Sequence, residues 1–242
     1  MPKTAGIVII GDEVLSGKVE ECNAHYMAKG LRAKGIIVRR ISVIPDEVPI
    51  IAEEVKKFAA DYDVVFTSGG LGPTHDDVTI EGIAKGFGVQ VVTEHTLHTF
   101  LYNRYGSKLT PERGKMAEVP EGAHVISHED IRFPLIKFKN IYILPGLPDF
   151  LRDKFDVIVS YYNENPIALK KVYFNEYESE LAPFFNDVVS KNPDVKIGSY
   201  PVVNEDNYMV YLTLESFDFT AVDRAVNMIT QSKYREKIVQ IQ

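Results

Sequence analysis

The chain has 242 residues, 45% of them hydrophobic and 25% charged, which is enough for one large domain or for one medium and one small domain. Its formal net charge of -7 excludes a general nucleic-acid binder, which would need clustered Lys and Arg to neutralise phosphates, and no apolar run approaches the ~18 to 20 residues that span a bilayer. Cys22 is the only cysteine, which excludes an intrachain disulfide and a cysteine-based zinc cluster; with no targeting segment at the start, a cytoplasmic location is expected.

"AGIVII", Ala5 to Ile10, is a continuous apolar run that stops at Gly11 and predicts a buried strand. From Val19 to Lys34 the apolar residues Tyr26, Met27 and Leu31 recur at helical spacing before the stop at Gly35. "IIVRRISVI" predicts a second strand. A helix follows from Pro45 and Asp46 to about Ala60, with Ile50, Ile51, Val55, Phe58 and Ala59 inward and Glu53, Glu54, Lys56 and Lys57 outward. "DVVFTS" predicts a third strand, and "DVTIEGIAKGFG" a helix whose first turn holds Asp76 and Asp77, beside the positive end of its dipole. A helix around "HTLHTFLYNRY" leads to two strands, "PLIKF" and "NIYILPG", joined tightly at Lys139 and Asn140, and "PGLPDFLRDKF" begins another helix.

This alternation predicts an α/β domain over residues 1–165, a mostly parallel sheet with helices on both faces. From about Lys170 the pattern changes to "KKVYF", "ESELAPFFNDVVSK", "VKIGSYP", "YMVYLTLES" and "DFTAVDRAVNMITQ", a small α+β unit over residues 166–242 with antiparallel strands. The boundary falls near Asn163 to Pro166.

Ligands of parallel sheets bind beyond the carboxyl ends of the strands, so three loops belong to one edge: "GDEVLSGK", "IPDE" and "TSGGLGPTHDD". The first is no Walker loop, because five residues separate Gly11 from Gly17 and Val19 replaces the metal-binding hydroxyl. The third is no ATP-pyrophosphatase loop, because Gly72 stands where that loop has an aspartate. In "TSGGLGPTHDDVT", Gly69, Gly70 and Gly72 let backbone N–H groups approach an anion, Pro73 shapes the turn, and Thr67, Ser68 and Thr74 supply hydroxyls. Carboxylates beside a phosphate repel it unless a cation intervenes, so Asp77, with Asp76, is read as holding Mg²⁺ or a similar hard ion; the alternative is a glycine turn with capping aspartates.

Gly11, Asp12 and Glu13 end the first strand, where the two acids serve either as a second ligand or water-orienting group, or simply as turn formers. Ser16 and Gly17 shape the loop that follows. Asn23 is an unusual helix residue, aimed either at a nucleotide or at solvent. Pro145 and Gly146 close one wall of the pocket, and His75 is either a phosphate donor or an exposed loop imidazole.

"GDEVLSGKVEECN", "PDE", "TSGGLGPTHDDVT" and "LPGLP" together resemble the molybdopterin-binding-like family, which includes molybdopterin adenylyltransferases and the N-terminal part of the competence-damage-inducible proteins. The likeness is strongest to the N-terminal domain of eukaryotic FAD synthases and runs across nearly the whole chain; those synthases continue into a synthetase domain, beyond the motifs matched here. The resemblance implies a three-layer α/β domain whose strand-end loops bind a nucleotide or pterin phosphate, with Asp46 and Asp77 as the two aspartates that act with a metal. It implies metal-dependent hydrolysis of a dinucleotide diphosphate, FAD to FMN and AMP or cleavage of ADP-ribose, with Mg²⁺, Mn²⁺ or Co²⁺. Adenylyl transfer to molybdopterin and a non-catalytic flavin-nucleotide binding module are the alternatives. Self-association is also expected from the resemblance.

Overall fold

Strand β1, Thr4–Ile10, is buried along nearly its whole length in a computed structural model that describes residues 2–162, 165–203, 205 and 207–242. A short helical turn α1, Asp12–Leu15, and helix α2, Asn23–Ala33, lead to β2, Ile37–Ile44, then α3, Val48–Asp61, and β3, Val64–Ser68. After the glycine loop come α4, Thr79–Phe87, β4, Val91–Thr93, α5, His95–Tyr105, α6, Pro111–Gly114, β5, Glu118–Pro120, and β6, His124–Ile126. The hairpin β7, Leu135–Phe138, and β8, Ile141–Leu144, precedes α7, Pro148–Ser160. Its turn needs a left-handed residue, which is Lys139 at φ 52.

The main sheet has the order β2-β1-β3-β8-β7-β6. The first four strands are mutually parallel, β7 runs antiparallel to β8, and β6 runs antiparallel to β7. Side-chain alternation along β1 divides the core between two faces. Ile7 and Ile9 face α2 and α7, with Met27, Leu31, Phe155 and Ile158; Val8 and Ile10 face α3, α4 and α5, with Ile51, Phe58, Ile83 and Leu97. The result is the three-layer, mostly parallel α/β architecture. An all-apolar β1 is what burial on both faces demands.

Three helices begin later than the sequence suggests, and in each case a side chain or glycine is used elsewhere. The helix read from Val19 starts at Asn23, because Gly17 takes the left-handed φ of 70 and Glu21 Oε1 accepts the Ala24 N–H at 2.9 Å. The helix read from Pro45 starts at Val48, because the Asp46 carboxylate reaches across to the Asp12 N–H, and Ile50, read as inward, is exposed while Ile51 and Ala52 take the buried face. The helix read from Asp77 starts at Thr79, so Asp76 and Asp77 lie in the preceding turn and not in its first turn.

The chain forms two compact units, Met1–Glu164 and Asn165–Gln242. Asn163 and Glu164, where the sequence places the boundary, lie outside the described residues. The second unit contains β9, Ala168–Phe174, α8, Glu178–Lys191, β10, Lys196–Pro201, β11, Val210–Ser216, α9, Phe219–Thr230, and β12, Ile238–Ile241. Its antiparallel sheet, ordered β10-β11-β9-β12, buries Val172, Phe174, Leu212 and Leu214 against Leu181, Phe185, Val222 and Ile229 of the two helices. Strand β12 is short and largely exposed, so no apolar period announces it in the sequence. Among the described residues, no helix is long and apolar enough to cross a membrane.

Candidate functional site

The carboxyl ends of β1, β3 and β8 are drawn together by backbone contacts that leave no room for side chains. Gly69, at φ +113, lies so close to β1 that a Cβ there would stand 2.0 Å from the Ile10 carbonyl oxygen. Gly70, at φ +64, would place a Cβ 2.3 Å from Thr79 Oγ1, whose hydroxyl donates to the Gly69 carbonyl at 2.9 Å. These two positions require glycine. Asn23 fastens the same ends from below: its Nδ2 donates to Ser68 Oγ at 3.1 Å and to the Gly146 carbonyl at 2.7 Å, while Ser68 Oγ donates to the Pro145 carbonyl. Two buried oxygens at these ends, Asn23 Oδ1 and Thr67 Oγ1, have no hydrogen-bond partner.

The β1 and β2 loops are joined by the Asp12 N–H donating to Asp46 Oδ2 at 2.8 Å. Partial burial pushes the Asp46 carboxyl above the usual carboxylate range; the Asp12 N–H opposes that shift, and the negative charges of Glu13, Asp12 and Asp76 add to it. Four carboxylates thus share one end of the edge.

Asp77 has a different surrounding. Its Oδ1 accepts the Gly72 N–H at 2.6 Å, and its Oδ2 accepts the Thr74 N–H at 2.8 Å and the Thr74 hydroxyl at 2.5 Å. Both oxygens are therefore occupied by donors that fix the glycine loop. This is the arrangement of the capping alternative; Oδ2 has both lone pairs engaged, while Oδ1, with one hydrogen bond, keeps one lone pair. Among the described residues no group of three His, Cys, Asp or Glu side chains converges as a metal cage. The donor set that remains, hard carboxylate oxygens of Glu13 and Asp46, fits an Mg²⁺-type ion that takes most of its ligands from a substrate's phosphates.

Beside the loop opens a cleft of about 940 Å³. Gly69, Gly70, Gly72 and Pro73 form one side, and Pro145, Gly146 and Leu147 the next. Tyr105, Phe133 and Phe150, with Leu101 and Met116, give it aromatic and apolar walls. Three cations line it: Arg104, Lys115 and Lys154. Lys115 Nζ donates to the Thr74 and Asp77 carbonyls, at 3.2 and 3.3 Å, which holds a positive charge against the glycine loop. Lys154, only 4% exposed, donates to the Pro134 carbonyl at 2.6 Å, and desolvation lowers its pKa to about 7.

Residues 6–165 match a family model described as a probable molybdopterin binding domain. The chain belongs to that molybdopterin-binding family. Residues 166–242 match a second model, the FAD synthase middle domain. A protein of Archaeoglobus fulgidus is 38% identical over 198 residues, which are 81% of this chain and 84% of that one. A probable FAD synthase of Caenorhabditis elegans is 29% identical over 95% of this chain, and the chain spans 50% of that protein's length. The crystal structure of the protein CinA, of unknown function, from Thermoplasma acidophilum is similar with a TM-score of 0.60 and 31% identity, covering 66% of this chain and 98% of CinA.

In this molybdopterin-binding unit, the residues singled out by sequence separate into two groups. Glu13, Gly69, Gly70, Gly72, Pro73, Asp77, Pro145 and Gly146 line the cleft. Gly11, Asp12, Ser16, Gly17, Asn23, Asp46, Thr67, Ser68, Thr74 and Asp76 stand outside its lining. Asn23, Ser68 and Thr74 act behind it, through hydrogen bonds that hold the lining loops. His75 is exposed in the loop. The sequence reading missed Lys115, Arg104 and Lys154, and the aromatic walls Tyr105, Phe133 and Phe150. Each is separated by 25 residues or more from the glycine loop, and only the fold brings them to it.

Proposed function

We propose that this unit binds a dinucleotide diphosphate in the cleft and hydrolyses it with a divalent ion (Mg²⁺, Mn²⁺ or Co²⁺) in the cytoplasm, FAD to FMN and AMP being the first candidate and ADP-ribose the second. One observation carries the reading: a single cleft of about 940 Å³ joins an amide-rich glycine loop to aromatic walls, the first suited to phosphate and the second to planar rings. The backbone N–H groups of Gly70 and its neighbours, with the Lys115 ammonium beside them, stabilise negative charge on the attacked phosphoryl group. A divalent ion, when bound, supplies neutralisation of the diphosphate; Glu13 on the cleft lining would hold it together with phosphate oxygens, with Asp46, outside the lining, near Glu13. Water adds to one phosphorus, the bond from that phosphorus to the bridging oxygen breaks, and the carboxylate of Glu13 or Asp46 accepts the water proton.

Purified protein incubated with FAD or with ADP-ribose and each of the three ions tests this, with products separated by chromatography. FMN with AMP, or ribose phosphate with AMP, is the expected result. Absence of both binding and turnover overturns it. The family's description as a probable molybdopterin binding domain favours a second reading, a pterin phosphate as ligand; a pterin that binds far more tightly than FAD would select it. Saturable FAD binding without turnover under any of the ions would assign a binding module instead.

A further inference from the structure

Lys154 is the most deeply buried charge of the first unit, and the site as described gives it no task. It lies on α7, is 4% exposed, and yet lines the cleft. Its Nζ has one protein acceptor, the Pro134 carbonyl at 2.6 Å, and sits 5.0 Å from the Phe133 ring centre. An ammonium carries three donors, so two have no acceptor among the described residues. No carboxylate of the described residues answers its charge: the adjacent Asp153 is paired with Arg132 at 2.8 Å, and burial alone accounts for its lowered pKa. The other charged groups of the cleft lining are Glu13, Asp77, Glu81, Glu118, Arg104 and Lys115. A buried cation without a counter-charge is costly, and a site that presents one to a cleft recovers that cost when an anion arrives.

Position says which part of the ligand. Ser68 of β3 is abreast of Leu144 of β8, and Ile143 of β8 is abreast of Ile136 of β7. Continuing this register sets Gly69, Pro145 and Pro134 in a row along the sheet edge. Two strand spacings separate the glycine loop from the carbonyl that Lys154 holds, about 10 Å. Donors on both sides at about 2.8 Å leave about 4 Å for ligand atoms, the scale of a diphosphate.

Resting on the reading of the cleft as a diphosphate site, we propose that Lys154 binds the second phosphoryl group of the ligand, so that the diphosphate is bracketed between the glycine loop and α7. Lys154 is then the residue by which the site prefers a diphosphate to a monophosphate.

The test compares ADP and AMP by calorimetry, in Mg²⁺ buffer, for the wild type, Lys154→Met and Lys154→Gln. Glutamine keeps an uncharged donor toward Pro134 and serves if the methionine variant does not fold. The wild type is expected to bind ADP at least 10-fold more tightly than AMP, and both variants to lose that preference while AMP affinity stays within about 2-fold. At pH 8 the wild type should also take up roughly 0.9 proton per ADP, read from enthalpies in two buffers of different ionisation heat, since a lysine with a pKa of about 7 is mostly neutral before binding. The variants should take up none from this position. A variant that retains the full ADP preference, or the wild-type proton uptake, overturns the role of Lys154 and leaves the cleft reading intact. A wild type that binds neither nucleotide overturns the cleft reading as well.

Discussion

Replacing Lys154 by methionine removes a buried ammonium and keeps most of its hydrocarbon stem. In the folded protein the lysine titrates at about 7, against an ordinary value of 10.5. A depressed lysine pKa means that the unfolded chain binds more protons than the folded one between these two values, so folded stability rises with pH through that window; below about 7 both states are protonated and the burial cost is borne in full. With about 1.4 kcal/mol per pH unit in the interior of the window, the wild type gains roughly 2 to 3 kcal/mol between pH 6 and pH 9 from this one group. For a chain of this size that is about 5 to 10 °C in melting temperature. Lys154→Met lacks the titration and loses the Pro134 hydrogen bond, worth about 1 kcal/mol at every pH. The variant should therefore be more stable than the wild type at pH 6, and the advantage should shrink by roughly 2 to 3 kcal/mol on going to pH 9. Urea unfolding of both proteins at the two pH values measures this, because subtracting the curves cancels the other titrating groups. A difference between the proteins that does not change with pH would refute the burial argument, and would show Lys154 to be hydrated as it stands.

Asp77→Asn must present an NH₂ group to a donor, because both carboxylate oxygens accept hydrogen bonds; it should cost about 2 kcal/mol and lower ADP affinity and turnover at least 10-fold. Raising Mg²⁺ should not rescue that variant, whereas rescue by metal would restore Asp77 as a ligand. Asp46→Asn still offers an oxygen to the Asp12 N–H and removes repulsion from Glu13, Asp12 and Asp76, so its melting temperature should be unchanged or higher while hydrolysis falls about 100-fold; wild-type rates would remove Asp46 from the chemistry. Gly69→Ala drives a methyl group into the Ile10 carbonyl at an unfavourable φ and should destabilise the protein by at least about 2 kcal/mol in urea unfolding. Chelation by EDTA should stop turnover and leave the melting temperature in place, because the loop is fixed by Asp77 and Lys115 and not by an ion; a fall of several degrees would point to a resident metal.

The layers were legible because their signal is local. Ile7 and Val8 alternate toward two helical layers, and the sequence declares a strand buried on both sides without help from distant residues. The glycine loop was legible for a related reason: close backbone approach and left-handed φ admit few residues, so Gly69 and Gly70 mark their own positions. Side-chain roles were less legible, because they depend on partners far along the chain. Asn23 read as either ligand-directed or exposed, and its partners stand 45 and 123 residues away. Asp77 beside three glycines satisfies both a metal reading and a capping reading, and the capping bonds from the Gly72 and Thr74 N–H groups show only in the fold. Lys154 gives no local sign at all, for a lysine following an aspartate in a helix is ordinary, and its burial comes from the Phe133–Pro134 turn 20 residues earlier.

Those same long-range partners bear on how an acidic chain could serve the anionic ligand proposed for it. Net charge of -7 sets the far field against phosphate, but the near field of the cleft is different. The Asp77 charge is spent on three loop donors, and Lys115 sits over the neighbouring carbonyls, so the loop's outward N–H groups face the cleft with little opposing charge. The carboxylates of Glu13, Asp12, Asp46 and Asp76 gather toward the β1 and β2 ends, where the charges of Glu13, Asp12 and Asp76 add to the partial burial that raises the proton affinity of Asp46. A free diphosphate is repelled at that end and attracted at the loop, whereas a diphosphate carrying a divalent ion is attracted at both. Under the proposed diphosphate function, this distribution of charge along one sheet edge favours the metal complex of the ligand over the bare anion, with the ion toward β1 and β2 and the oxygens toward β3 and β8.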